Sequence, residues 1–401
     1  MVSEGFSGNA LTVVYEVIKK YSVYDEDDTP PVEAVVSGFS GIDAAGWAAK
    51  RLGIKPALAM DGWDESIKTI DANLPGRHEK VWFGDDDKGS VENVLGMIHE
   101  ETTDKDGYAA HFSPPCDKLS RANQFKDRND NAATGMEMID FTSKVFDGLR
   151  SSEQPPAMLS MEQTPEARKY ILDDSYGLNQ NLSNDFKTMV RNSPNLESGQ
   201  FGSPTFRERL WSVRGSEATP THSKDNYASI NDFFPYMQEE WERSGAKTGN
   251  TGKTRGRAAE LQHLREQGKV DQRAFDMLSE PTISAGGSVN PGKGGAPWND
   301  DKKGYAWNHI TPTSRPMPAV THHRPALSHT RHLTPQEVLQ IQGWTKEESE
   351  AFKWPQARGE TYKLPSGNPR NIIDTQLGNT MSPNIYQNLL ENIGRGQKEL
   401  F

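Results

Sequence analysis

Short apolar runs alternate with helical patterns and with turns that contain glycine or aspartate from position 32 to position 215. The apolar runs lie at positions 32–37, 56–60, 80–83, 108–112 and 157–161. Continuous apolar strands that alternate with helices are typical of a parallel sheet with both faces covered. The pattern therefore predicts an α/β fold in which the carboxyl ends of the strands meet at one edge.

The alternation of apolar runs and helical patterns is interrupted once and then resumes. Positions 216–328 are rich in polar residues, glycine and proline, and predict a smaller, irregular domain. At the carboxyl-terminal side, Thr334 as N-cap, Pro335 in the first turn, Glu337 in a capping box and Gly343 as stop signal predict a helix. We therefore assign 32–215 and the return segment 329–401 to one domain, and treat 1–31 as an extension.

Charge restricts the surfaces that could bind a nucleic acid. The chain has 45 basic and 56 acidic residues and a formal net charge of −11, so a nucleic-acid partner requires a locally basic surface. The predicted smaller domain offers one, in which basic residues lie among aromatic ones: Lys247, Lys253, Arg255, Arg257, Lys302, Lys303, Tyr305, Trp307, Arg315 and Arg324. Gly252-Lys253-Thr254 lacks the spacing of a P-loop, and the nearby histidines lack a matching ligand framework for a metal.

The only cysteine of the chain is Cys116, directly after Ser113-Pro114-Pro115. Because proline cannot continue a sheet ladder, the fourth strand must end there and present the thiol on a stiff turn. A lone cysteine is more often a small buried hydrophobe, but the surrounding motifs favour a nucleophile. One cysteine also excludes an intrachain disulfide, which together with the lack of a leader or membrane span leads us to expect a cytoplasmic protein.

The turns after the first three strands carry residue types suited to a nucleotide cofactor. Gly38 and Gly41 allow a ligand to approach the backbone closely. Asp61 ends the second strand, where a carboxylate can accept hydrogen bonds from both ribose hydroxyls. Trp63 follows it and either covers an adenine or caps the helix predicted from position 64. Asp85 lies after the third strand, at the same predicted edge.

Three charged residues are candidates for chemistry beside the cysteine. Glu162 follows the fifth strand, so that in a parallel sheet it would face the same pocket as Cys116; the alternative is a carboxylate in the first turn of a helix. Arg207 and Arg209 occupy alternate positions of an extended segment and should point to one face. They could hold a phosphate or an acidic group, with surface ion pairing as the alternative.

Together these residues resemble the motifs of the cytosine-5 DNA methyltransferase family, in the family's usual order. The resemblance covers about 32–215 and 331–393, with a variable insert between. The matching residues are Pro114-Pro115-Cys116 with Ser120, Glu162-Gln163-Thr164 where the family has Glu-Asn-Val, Thr205 with Arg207-Glu208-Arg209 for Gln-x-Arg-x-Arg, Leu333-Thr334 to Gln342-Gly343, and Gln376 to Thr380. It implies a Rossmann-like class I methyltransferase sheet with a smaller target-recognition domain at 216–328.

The resemblance also implies a cofactor, S-adenosylmethionine, and a set of roles. The residues it assigns to the cofactor are Phe39, Ser40, Gly41, Asp43, Asp61, Trp63, Asp85, Pro114 and Asn379. It makes Cys116 the nucleophile that adds to the cytosine ring, Glu162 the acid at the ring nitrogen, and Arg207 and Arg209 the residues that hold the nucleotide and the cysteine loop. The resemblance implies no metal. The expected partner is double-stranded DNA, and we expect a monomeric protein that does not associate with a membrane.

Three other functions remain open at the level of sequence. An RNA cytosine-5 methyltransferase could use the same motifs, although an insert of this length favours a DNA reader. A non-catalytic DNA-binding relative is disfavoured by the presence of Cys116 and Glu162. A nicotinamide-dependent oxidoreductase is disfavoured because the first turn lacks the three-glycine fingerprint. The sequence identifies neither the target site nor a partner restriction endonuclease.

Overall fold

The computed structural model describes residues 32–84, 88–116, 118–119, 128–243, 282–284, 310–312, 326–327, 331–357, 359–363 and 369–394. The predicted extension 1–31, Asp85 and Ser120 lie outside the described residues. So do the basic and aromatic residues of the insert that the sequence singled out between positions 247 and 324. Among the described residues, no helix is long and apolar enough to cross a membrane.

The core is a seven-stranded sheet in the order β3-β2-β1-β4-β5-β7-β6. Its strands are β1 Ala34–Gly38, β2 Lys55–Asp61, β3 Arg77–Lys80, β4 Tyr108–Phe112, β5 Met158–Gln163, β6 Asn195–Glu197 and β7 Glu208–Arg214. The pairings from β3 through β5 are parallel, whereas β7 runs antiparallel to both of its neighbours. The α/β, Rossmann-like sheet expected from the sequence is confirmed.

The strand order reverses between β1 and β4, which are adjacent although two strands separate them in the chain. Ligands of open α/β sheets bind in the crevice at such a switch point. Gly38 at the end of β1 makes room there, because a Cβ atom at this position would lie 2.4 Å from the ring of Phe112. Close packing of the two strand ends thus requires glycine at this edge.

Helices cover both faces of the sheet and divide the core in two. One apolar cluster joins α1 (Ala44–Arg51) to the carboxyl-terminal helices and includes Trp47, Leu339 and Tyr386. The other lies beneath α3 to α6 and includes Ile98, Val145 and Phe186. The further helices are α2 Asp64–Asp71, α3 Val91–Thr102, α4 Arg128–Arg150, α5 Ala167–Leu172, α6 Asn184–Asn192, α7 Ile230–Phe233, α8 Tyr236–Arg243, α9 Pro335–Ile341, α10 Lys346–Ala351, α11 Ile372–Asn379 and α12 Pro383–Glu391.

A half-buried arginine links the carboxyl-terminal segment to the first helix. Arg51 pairs with both oxygens of Glu348, donates to Asn384 Oδ1 at 2.8 Å, and donates to the carbonyl oxygen of Gly343 at 2.9 Å. Helix α9 has the predicted capping box, in which the side chains of Thr334 and Glu337 bond each other's backbone N–H groups. Residues from both ends of the described chain therefore build one face of the core.

The third strand differs from its prediction, which placed it at 80–83. The structure has it at Arg77–Lys80, with Arg77 paired to Glu79 at 2.8 Å. As the outermost strand of the sheet, β3 needs charged side chains to prevent pairing with other chains. Of the apolar residues that suggested a strand, Val81 is buried in the following loop and Phe83 joins an aromatic cluster, whereas Trp82 is 62% exposed.

The described parts of the insert are helices and short antiparallel strands. Strands β8 Thr282–Ser284, β9 Ile310–Pro312, β10 Ala326–Leu327 and β11 Arg331–His332 form a second sheet in the order β11-β10-β8-β9. A hairpin of β12 Thr361–Lys363 and β13 Pro369–Asn371 precedes α11. None of these strands pairs with the seven-stranded sheet, and β11, β12 and β13 lie in the return segment 329–401 rather than in the insert.

Candidate active site

The turn between β1 and α1 has an unusual backbone. Phe39, Gly41 and Asp43 all have positive φ values, of 53°, 58° and 56°. Asp43 holds this conformation from inside the protein, where its Oδ1 accepts hydrogen bonds from Ser37 Oγ at 2.8 Å and from Gly46 N at 3.0 Å. Burial raises the pKa of Asp43. With 2% of its surface exposed, Asp43 positions the turn, and Ser40 and Gly41 form its accessible part.

Asp61 links this turn to the end of β2. Its Oδ2 accepts from Gly41 N and its Oδ1 accepts from Trp63 N, both at 2.8 Å. Burial raises the pKa of Asp61 to about 6, although hydrogen bonds from Gly41, Trp63 and Ser66 oppose the change. The side chain is still half-buried rather than enclosed. A carboxylate that titrates near pH 6 therefore lies at the crevice beside the turn.

Aromatic residues surround the two turns. The ring of Phe39 packs on Phe83 with centroids 4.0 Å apart and approaches the rings of Phe112 and Phe141 edge-on. Trp63 precedes α2 but makes no side-chain capping bond; its ring lies 5.1 Å from that of Tyr362 in the β12–β13 hairpin. Trp63 is nevertheless the N-cap residue of α2, and its backbone carbonyl oxygen accepts from Ser66 N at 3.0 Å, as the capping alternative predicted. Its stacking on an adenine stays a prediction.

Side chains of β4 and β5 hold the start of the loop that carries Cys116. His111 Nε2 lies 2.7 Å from Ser113 Oγ, and His111 Nδ1 lies 2.9 Å from Ser160 Oγ on β5. Gln163 Nε2 donates to the carbonyl oxygen of Pro114 at 2.9 Å. Burial lowers the pKa of His111 to about 3, so the imidazole is neutral near pH 7. Cys116 follows on this fixed segment and is half-buried, unlike an enclosed core cysteine.

Glu162 lies within β5, which excludes the alternative that it is a helix first-turn carboxylate. Its Oε1 is 2.8 Å from Arg209 Nε, and both side chains are largely buried. The two atoms are not aligned as a hydrogen bond, and neither makes one with another described residue. Thr205 Oγ1 is likewise buried without a hydrogen-bond partner among the described residues. Buried polar atoms are nearly always bonded, so these atoms are suited to contact a ligand.

Arg207 lies within electrostatic range of both Cys116 and Glu162. The pKa of Arg207 is lowered to about 10, mainly by burial and to a smaller extent by the charge of Arg209. Glu162 and Cys116 act in the opposite direction and raise it. The guanidinium therefore stays charged near neutral pH, and a nearby positive charge favours the ionised thiolate of a cysteine. Arg207 also donates to the carbonyl oxygen of Gly378, at 3.2 Å.

The structure brings most of the sequence-predicted residues to one edge. Arg207 lies within electrostatic range of Cys116, Glu162 and Arg209. The adjoining turns are formed by Phe39, Ser40, Gly41, Asp61 and Trp63. Pro114 is buried and acts through its carbonyl group, and Asn379 is exposed at the end of α11, next to Gly378.

Sequence reasoning missed two contributors. His111 and the amide of Gln163 were not proposed as functional residues, yet both bond the segment that leads to the cysteine. The available signal was polar residues inside strands that are otherwise apolar, because such residues must find partners when buried.

No protein-family model matches the chain, and no curated protein matches it significantly. Among solved structures, the chain is similar to a DNA modification methyltransferase encoded within an E. coli prophage, with 15% identity, 89% of this chain and 97% of that chain covered, and a TM-score of 0.44. It is also similar to the methyltransferase EhMeth of Entamoeba histolytica, with 14% identity, 91% and 99% coverage, and a TM-score of 0.47. The corresponding values for the Dnmt2 methyltransferase of S. pombe are 12%, 89%, 96% and 0.43.

Proposed function

We propose that this chain is a methyltransferase that uses S-adenosylmethionine to methylate C5 of a cytosine in double-stranded DNA, through a covalent bond between Cys116 and the base. The observation that carries the proposal is the grouping of Cys116, Glu162 and Arg207 at the carboxyl ends of β4 and β5. A nucleophile, an acid and a cation then lie next to a turn suited to a nucleotide cofactor.

The cofactor fits the residues at the switch point. A side chain at Gly41 would meet no described atom within 4 Å, so the turn faces open space beside Asp61. Each Asp61 oxygen accepts one backbone N–H and keeps acceptor capacity for a ribose hydroxyl. Ser40 and Gly41 would hold the methionine part, and Trp63 would lie against the adenine. When bound, the cofactor would supply an electrophilic methyl group.

The chemistry of cytosine explains why these side chains are needed. C5 is a poor nucleophile until a group adds to C6, so the Cys116 thiolate would form a bond to C6 and push electron density toward C5 and N3. Glu162 would hydrogen-bond N3 and stabilise that charge, while Arg209 holds the carboxylate in place. Methyl transfer would leave the electron pair of the broken bond on the sulfur of the cofactor. A water molecule would then accept the C5 proton, and the electrons of the C5–H bond would re-form the double bond between C5 and C6 and expel the Cys116 thiolate.

Access to C6 imposes a further requirement. A base inside a duplex is stacked and paired, so the cytosine must leave the helix at a cost of a few kcal/mol. Contacts with the sugar-phosphate backbone must offset that cost, and Arg207 and the basic part of the insert are suited to them. These contacts make DNA, rather than a free nucleotide, the proposed substrate.

Transfer of label from tritiated S-adenosylmethionine to separate DNA and RNA substrates tests the proposal. We expect label in duplex DNA, none with Cys116→Ser, and a covalent adduct of the unaltered protein with DNA that contains 5-fluorocytosine, because fluorine cannot leave as a proton does. Label in RNA alone would replace the substrate with RNA. Label in DNA without any trapped adduct, or an active Cys116→Ser variant, would exclude the covalent mechanism.

A further inference from the structure

An aromatic side chain is exposed next to the proposed catalytic arginine. Phe206 is 45% exposed, although its neighbours Thr205 and Arg207 are both buried. It lies just before β7, whose antiparallel direction puts its first residues at the same sheet edge as the carboxyl ends of β4 and β5. Neighbouring Cα atoms are about 3.8 Å apart, so the ring emerges from the backbone that also positions Arg207.

The ring of Phe206 rests on a second aromatic residue that is itself held in place. Its centroid is 5.7 Å from that of Tyr227. The Tyr227 hydroxyl donates to Glu197 Oε2 at 3.0 Å, and the ring covers Gly199, where a Cβ atom would come within 2.5 Å of Tyr227 Cδ2. Burial and Glu197 raise the pKa of Tyr227 to about 12, so that this donor persists near neutral pH.

A cation borders the same pair. Lys224 Nζ is 3.1 Å from Glu197 Oε1, and its side chain is 73% exposed. Glu197 therefore anchors both Tyr227 and Lys224, and its carboxylate pairs with the ammonium group of Lys224, while the Phe206 ring faces solvent. An exposed π-surface suits a nucleobase, because every base has a π-face on which an aromatic ring can stack.

We propose that Phe206, supported by Tyr227, stacks on a base of the substrate strand that flanks the target cytosine. This inference rests on the proposed function. When the target base leaves the duplex, its neighbours lose a stacking partner, and an aromatic ring can compensate for that loss. Phe206 lies between Thr205 and Arg207, whose side chains are buried, so its ring is on the opposite, solvent-exposed side of this extended segment. A base that flanks the target, rather than the target cytosine itself, would meet the ring there.

Four variants test the proposal with fluorescein-labelled duplex poly(dI-dC) as the probe, by anisotropy titration and by tritium transfer. Phe206→Ala should weaken binding by roughly tenfold, the usual effect of removing one stacking side chain. Phe206→Trp should restore binding, whereas Phe206→Leu, which is apolar but has no π-face, should not. Tyr176→Ala is the control, because Tyr176 is an exposed aromatic residue that follows α5 and packs on Tyr170.

The outcomes separate this inference from the proposed function. If the unaltered protein neither binds nor methylates the probe and also transfers no label to genomic duplex DNA, the proposed function fails. If it does both, and Phe206→Ala binds like the unaltered protein or Phe206→Leu binds as well as Phe206→Trp, only the stacking role is overturned. Equilibrium dialysis of S-adenosylmethionine should give the same affinity for all four variants; a matching loss of cofactor affinity in Phe206→Ala would assign Phe206 to the packing of the pocket instead.

Discussion

The side-chain amide of Gln163 donates a hydrogen bond to the carbonyl oxygen of Pro114, at 2.9 Å. This bond joins the end of β5, where Glu162 lies, to the loop that carries Cys116. Gln163 is fully buried, and its side-chain amide oxygen, Oε1, accepts from Thr164 N at 2.8 Å. Gln163 thus fixes the position of the Cys116 loop relative to Glu162, which are the nucleophile and the acid of the proposed reaction.

Gln163→Ala should therefore lower the reactivity of Cys116. Removing the donor leaves the Pro114 carbonyl without this partner, a loss of about 1–3 kcal/mol for a buried group, and frees the loop. We expect methyl transfer to fall at least tenfold. Because Cys116 is the only cysteine, its rate of alkylation by iodoacetamide should change as well, which can be measured without any substrate.

Asn179→Ala provides a matched control for this experiment. Asn179 is also buried and donates from its amide to a backbone carbonyl, that of Ile171 at 3.0 Å, but it lies after α5. It should lose stability without a change in the alkylation rate. Equal effects of the two substitutions on alkylation would show that Gln163 contributes only to folding.

Glu162→Gln should reduce the rate of methyl transfer by roughly 10²-fold, the usual range for the loss of a positioned acid. The substitution keeps the size of the side chain but removes both its proton-donating capacity and its ion pair with Arg209. Cofactor affinity should stay constant, because Asp61 and the turn at Gly41 form that part of the crevice. Single-turnover kinetics measure the effect, and a rate within threefold of the unaltered protein would restrict Glu162 to a structural role.

Cofactor affinity should depend on pH through Asp61. Since burial raises the pKa of Asp61 to about 6, the carboxylate loses its charge below that value, and its hydrogen bonds to ribose hydroxyls weaken. We expect the Kd for S-adenosylmethionine to rise roughly tenfold between about pH 7 and about pH 5. Asp61→Asn should bind weakly at both values, and a variant with an unchanged pH dependence would remove Asp61 from the site.

The same carboxyl group has the opposite effect on folding. Its pKa is higher in the folded chain than the ordinary 3.8, so the folded chain retains a proton that the unfolded chain releases. Its contribution to the free energy of unfolding is therefore largest below about pH 4 and is lost as the pH rises through about 6. Binding and stability thus respond to this residue in opposite directions.

His111 should make the protein less stable in acid. Its pKa is lowered from 6.5 to about 3 by burial, so between these values the unfolded chain binds a proton that the folded chain does not. Its contribution is fully present above about pH 6.5 and falls by up to about 1.4 kcal/mol per pH unit below it. Urea denaturation between about pH 4 and pH 7 should show a smaller slope for His111→Gln, whereas the exposed His99→Gln should retain the original slope.

Much of the fold follows from local patterns in the sequence. Alternating apolar runs and helical segments predicted the α/β core, and the capping box of Thr334 and Glu337 predicted helix α9, because burial and capping depend on residues close together in the chain. The prolines before Cys116 also fixed the end of β4. These features hold wherever the segments come to lie in the fold.

The arrangement of those segments was decided by tertiary structure. The sequence predicted an extended segment that contains Arg207 and Arg209, but only the structure shows that the strand formed there is antiparallel and lies between β5 and β6. The apolar run at 80–83 also suggested a strand, whereas the strand in the structure ends at Lys80. It is the edge strand of the sheet, with a neighbour on one side only, and a local pattern does not reveal that position. Strand order depends on pairing between segments that are distant in the chain, which no local pattern specifies.

The site divides in the same way. The residue types at positions 61, 116, 162 and 207 suggested roles in a site, each with a structural alternative, and the structure places them at one edge of the sheet. What the sequence left open was the support around them: the bond from Gln163 to Pro114 and the neutral His111 beneath the loop. Both arise because burial forces polar groups to find partners across the sheet, and those partners are fixed only when β4 and β5 lie side by side.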